Sequence, residues 1–122
     1  MSSDSVQEIL FTELLQNDML VMETGRSVYT FTVVDRSNRR GALTGGNVPQ
    51  PRDAVFSGSL LPTRDIWEAG VRLGARAAFF LTVPTDASGF SQVITSPLVR
   101  ISVRRGGVGL AGPPLLTLFG EG

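Results

Sequence analysis

Seven consecutive β-branched or aromatic residues, Val28-Tyr29-Thr30-Phe31-Thr32-Val33-Val34, constrain this chain more than any other feature. Side chains branched at Cβ crowd a helical turn and pack well on a pleated surface, so the run predicts a strand. Tyr29, Phe31 and Val33 then share one face. Turn clusters bracket the run, Gly25-Arg26-Ser27 before it and Asp35-Arg36-Ser37-Asn38 after it. Residues 20–24 predict a preceding strand, and residues 39–44 the returning strand of a hairpin.

The same grammar continues along the chain. Gly45-Gly46-Asn47-Val48-Pro49-Gln50-Pro51-Arg52 is rich in breakers and predicts a loop. Residues 54–61 resume a strand, with Gly58 marking a bulge or a close approach of backbones. Residues 62–70 predict a single helical turn carrying Trp67. The nearly continuous apolar run at 76–83 is the candidate central strand, and Pro84-Thr85-Asp86-Ala87-Ser88-Gly89 the next turn. Residues 93–96 and 98–104 complete the set. In the latter, Val99, Ile101 and Val103 are expected inward and Arg100, Ser102 and Arg104 outward. Pro97 cannot donate to a ladder, so this stretch should kink or lie at an edge.

The N-terminal segment reads differently. Ser5-Val6-Gln7-Glu8 has the spacing of a capping box, and Val6, Ile9, Leu10 and Leu14 fall on one helical face. The expected organisation is one domain in three stretches. Residues 1–18 form an amphipathic α-helix, 19–105 the β body, and 106–122 a Gly/Pro-rich apolar tail. Short strands at close spacing with no strand-helix alternation predict a mainly β fold. Its form is either a small antiparallel barrel, SH3-like or similar, or a compact sandwich.

A length of 122 residues suits one ordinary core, and 42% hydrophobic with 18% charged residues suits a globular chain. All 11 basic residues are arginine, and the chain has no histidine, cysteine or lysine. The usual proton shuttle, thiolate nucleophile, Schiff-base amine and P-loop cation are thereby excluded. No metal or other cofactor is expected, because oxygen ligands alone remain and the acids are dispersed. Exclusive arginine with 14 glycines suggests a GC-rich genome. Residues 1–20 carry acids and no base, no apolar run reaches the roughly 20 residues that span a bilayer, and a cytoplasmic location is expected. A net charge of zero hides five acids and no base in residues 1–25, against a local balance of +6 in 26–105. An acidic N-terminal segment could therefore dock on a basic body, although a solvated acidic helix face with scattered surface arginines is the simpler expectation.

Candidate sites follow from what is left. Arg39-Arg40 and Arg104-Arg105 lie near strand ends and could contact nucleic acid or a protein partner, with Tyr29 and Phe31 available for base stacking only if they face outward. Asp53, Asp65 and Glu68 are the carboxylates an acid-base enzyme would use, although Asp65 and Glu68, beside Arg64, Trp67 and Arg72, read more simply as surface ion-pair partners. Ser57, Ser59, Thr95 and Ser96 offer hydroxyls without an ordinary base to activate them. Gly107-Val108-Gly109-Leu110-Ala111-Gly112 matches a dinucleotide fingerprint formally, but Pro113-Pro114 follows and no helix fits. Leu115, Leu116, Leu118 and Phe119 in the tail predict an oligomer contact, with a dimer favoured.

Ile94-Thr95-Ser96-Pro97-Leu98-Val99-Arg100-Ile101 resembles the final strand of certain small uncharacterised bacterial β-domain proteins. These also carry a strand like Glu23-Thr24-Gly25-Arg26-Ser27-Val28-Tyr29 near the start. The resemblance covers a minority of the chain, implies a small β domain and carries over no catalytic residue. The leading expectation is a non-catalytic interaction or assembly module. A nucleic-acid-binding small barrel and a carboxylate-dependent enzyme are the alternatives.

Overall fold

Alternation decides which face of each strand is buried, and the computed structural model, which describes residues 5–46, 48–82 and 92–106, shows this along most of the chain. Strands β3 (Met19–Thr24), β4 (Val28–Asp35) and β5 (Arg40–Gly45) form the expected antiparallel succession. Leu20 and Met22, then Tyr29, Phe31 and Val33, then Leu43 point to one face and are buried there. Asp35 closes the β4–β5 turn by accepting from the Asn38 amide and backbone.

The remaining strands are β1 (Ser5–Val6), β2 (Glu8–Leu10), β6 (Val48–Leu60), β7 (Ile66–Trp67), β8 (Gly70–Arg72), β9 (Arg76–Leu81), β10 (Gln92–Ile94) and β11 (Leu98–Arg104). In space the main sheet runs β1-β11-β3-β4-β5-β6-β9-β10, with β7 also paired to β6, and every pairing is antiparallel. A separate ribbon pairs β2 with β8. The mainly β, antiparallel expectation holds, but the barrel does not. Among the described residues the sheet order has two ends, β1 and β10, and does not close. It curls nonetheless. Leu98 N–H donates to the Ala75 carbonyl and Gly74 N–H to the Leu98 carbonyl, drawing the start of β11 against the start of β9. One core therefore takes residues from β3, β4, β5, β6, β9 and β11 together.

The expected N-terminal helix is absent. Residues 5–10 form β1 and β2, and Phe11–Glu13 is a single 3₁₀ turn in which Glu13 Oε1 accepts the Leu10 N–H at 2.8 Å. A short isolated helix is marginal in water, so tertiary partners decide the outcome. Those partners are many here. Strand β8 pairs with Glu8–Leu10, Phe11 N–H reaches the Ala69 carbonyl, and Arg36 donates to the carbonyls of Leu14 and Thr12. Glu8, expected in a capping box, instead pairs with Arg72 at 3.0 Å. The acidic segment does dock on arginines of the body.

Four further expectations change. The breaker-rich loop is largely strand, because Val48–Leu60 is one strand of 13 residues. Prolines 49 and 51 sit where β5 flanks this strand and β9 has not yet begun, so one edge has no ladder for them to interrupt among the described residues. In place of a helical turn, residues 61–65 link β6 to β7, with Pro62 following the Leu61 carbonyl that accepts the Arg64 N–H. The candidate central strand, β9, lies one from the end of the sheet. Val99 is exposed, because a register shift between Leu98 and Arg100 turns Leu98 inward in its place. The bulge expected at Gly58 is present as a register shift against β9, with φ at 144°. The turn at 84–89 and the tail from 107 lie outside the described residues.

Thr95 shows how the end of the sheet is held. It is fully buried, its N–H donates to the Ala77 carbonyl, and its Oγ1 accepts the Ala77 N–H at 3.0 Å. The hydroxyl thus stands in for a backbone carbonyl. Thr95→Val should cost about 1–3 kcal/mol by leaving that N–H without an acceptor, and Thr95→Ser should recover most of the loss. Urea denaturation of the two variants measures the difference.

Candidate functional site

Phe79 and Phe80 are adjacent in β9 and must face opposite sides of the sheet. Phe79 is wholly buried, and Phe80 is 45% exposed. Ile94, 44% exposed, stands on β10 beside Ala78, and Phe80 is flanked by Gln92 of β10 and Val55 of β6. The outer face of the last two strands is therefore apolar at its centre. The Thr95–Ala77 bond also fixes the phase of the ladder. Val93 exchanges bonds with Phe79, and Gln92 and Ile94 direct their backbone groups away from β9. No strand flanks that outer edge among the described residues. Sequence reading placed Phe80 in the strand without giving it a role. The Phe-Phe pair itself was the signal, since one of two neighbouring strand residues has to leave a one-sided core.

Three of the four arginines singled out in the sequence are engaged, each by different partners. Arg39 has left-handed backbone at φ 58°, lies 5.1 Å over the Phe11 ring and 5.4 Å over the Phe56 ring, and donates to the Glu68 carbonyl. Arg40 pairs with Asp53, whose carboxylate also accepts the Thr82 hydroxyl at 2.7 Å. Those two bonds, the arginine's first, hold the Asp53 carboxyl below its ordinary value. Arg105 reaches back to the Asp18 carboxylate and the Glu13 carbonyl. Arg104 is exposed at the end of β11. Tyr29 and Phe31 are buried in the core and present no stacking surface.

Asp65 accepts the Thr63 hydroxyl at 3.0 Å, and Glu68 offers its backbone carbonyl to Arg39. Neither carboxylate pairs with an arginine among the described residues, contrary to the ion-pair reading. No group of three or more acids is gathered there as a metal site would need. Of the candidate hydroxyls, Ser59 donates to the Gly70 carbonyl at 2.6 Å and is buried, joining β6 to β8. Among the described residues no helix is long and apolar enough to cross a membrane. Leu115, Leu116, Leu118, Phe119 and the glycine motif at 107–112 lie outside the described residues.

No protein-family model matches this chain, and no curated protein or solved structure matches it either.

Proposed function

We propose that this chain is an interaction module of the cytoplasm that assembles with a second copy of itself through β10. The observation that supports it is the edge of β10, unflanked among the described residues, next to outward-facing Phe80 and Ile94. Gln92-Val93-Ile94 carries no charge and no proline, the devices by which natural sheets protect an edge. Two copies related by a twofold axis can pair such a strand with itself, satisfying the backbone groups of Gln92 and Ile94 and covering both apolar side chains in one step.

Light scattering across a dilution series should show a dimer that dissociates on dilution. Ile94→Lys places a charge at the edge without disturbing the bonds to β9, so it should weaken the dimer at least tenfold while leaving thermal stability of the monomer nearly unchanged. A monomer at all concentrations, or a dimer indifferent to this substitution, would overturn the reading. Deleting residues 108–122 separates the edge from the apolar tail: a dimer that survives rests on β10, and one that is lost rests on Leu115, Leu116, Leu118 and Phe119.

A further inference from the structure

At the start of β9, the β6–β7 turn faces the entry to β11 across a cleft of about 380 Å³. Leu60, Leu61, Pro62 and Pro97 supply apolar walls, Gly74 leaves one side open, and Arg64 and Arg76 supply the charge. Among the described residues no carboxylate lines it. Neither arginine forms an ion pair among the described residues, whereas Arg40, Arg72, Arg100 and Arg105 all do. Two like charges thus share one concavity with no ion-pair partner among the described residues.

The backbone gives an independent reason to regard Arg64 as placed. The Leu61 carbonyl accepts the Arg64 N–H, and the Leu61 N–H donates to the Asp65 carbonyl, so Arg64 occupies the left-handed position that ends a turn of this kind. Its φ is 76°. Glycine takes that conformation without strain, and a residue with a Cβ does not. The strain places a guanidinium at the rim of the cleft that glycine would leave bare.

We infer that the cleft between the β6–β7 turn and Pro97 binds a small oxyanion, phosphate or carboxylate, carried on an apolar body. The two guanidiniums match the oxyanion, for which arginine offers paired donors in a rigid fork. The leucine and proline walls match the body. The volume lies within the range of small-molecule sites, about 300–1,000 Å³.

Phenyl phosphate is the probe, followed by backbone amide shifts in NMR titration, with benzoate, inorganic phosphate and benzyl alcohol as comparison ligands. Saturable shifts centred on Leu61, Arg64, Gly74 and Arg76 are expected. The preference between phenyl phosphate and benzoate assigns the oxyanion, and either supports the site. Benzyl alcohol binding as well as the anions would overturn it, and inorganic phosphate binding as tightly as phenyl phosphate would overturn the apolar body. Arg76→Gln and Arg64→Gly should each raise Kd at least tenfold. Arg64→Gly should at the same time raise Tm by several degrees, since it relieves the left-handed strain, so lost binding cannot be ascribed to lost folding. Binding unchanged in Arg64→Gly would sink the assignment.

Discussion

Phe79→Ala should destabilise the protein by about 3–5 kcal/mol, and Phe80→Ala by less than about 1 kcal/mol, although the two residues are neighbours. Phe79 has no exposed surface, and its ring lies 5.1 Å from Phe31 and 5.5 Å from Phe56, centroid to centroid. Phe56 stacks in turn on Phe11 at 5.3 Å, and Phe11 is the residue that brings the N-terminal segment into the core. Truncating Phe79 therefore opens a cavity in a four-ring cluster that joins β4, β6, β9 and the 3₁₀ turn, and the rings beside it, each packed against Phe11 as well, have little freedom to fill it. A domain of this size has about 5–15 kcal/mol of stability, so a loss of about 3–5 kcal/mol takes a large share of it and should lower Tm by well over 10 °C. Chemical denaturation at a protein concentration low enough to suppress association measures both variants. Equal losses would mean that the phase of β9 is wrong and, with it, the outward placement of Phe80.

That phase was only half legible in the sequence. The runs at 20–24 and 28–34 alternate cleanly, and their turns are built from side chains that bond to their own backbone, so local chemistry sufficed. Thr24 Oγ1 accepts from the Arg26 and Ser27 amides in one turn, and Asp35 from Asn38 in the next. The apolar spacing of the N-terminal segment suits a helix equally well, and what decides between the two is a strand at least 60 positions away. Glu8 meets Arg72 only through the pairing of β2 with β8. Val99 was misplaced for a related reason: one bulge shifts the alternation by a residue, and the outward run Val99-Arg100 then reads as its opposite.

The candidate sites divide along the same line. An exposed Phe80 follows from two adjacent aromatic residues in one strand, which is a local signal. Arg64 also left a trace, because Pro62-Thr63-Arg64 puts arginine where a turn opened by proline would favour glycine. The arginine pairs misled because proximity in sequence says nothing about engagement. Arg39, Arg40 and Arg105 each have a partner at least 13 positions away, and only the assembled fold supplies it.

Asp18 is where that engagement should be most costly to remove. Its side chain is 2% exposed although it is charged, and it accepts the Leu15 N–H at 2.8 Å, the Gly106 N–H at 3.3 Å and the Arg105 guanidinium. Burial pushes the carboxyl up, but the Leu15 bond, the Arg105 bond and the Gly106 bond together outweigh it, and the group lies below its ordinary value of 3.8. Asp18→Ala removes the acceptor for two backbone donors at once and should cost about 2–4 kcal/mol. Asp18→Asn keeps an acceptor, loses the charge, and should cost about half as much. The two losses should also respond differently to acid. A carboxyl depressed in the folded state contributes its stability above the unfolded value and gives it up as the pH falls through the folded one. The gap between wild type and Asp18→Asn should therefore be full at pH 7 and shrink below about pH 4. The cost of Asp18→Ala should shrink less, because the orphaned N–H groups of Leu15 and Gly106 do not titrate. Denaturation midpoints at pH 7, 5 and 3 distinguish the charge of Asp18 from its role as a backbone acceptor. A gap independent of pH would show that the guanidinium of Arg105, more than half exposed, contributes little to the hold of β11 on the N-terminal segment.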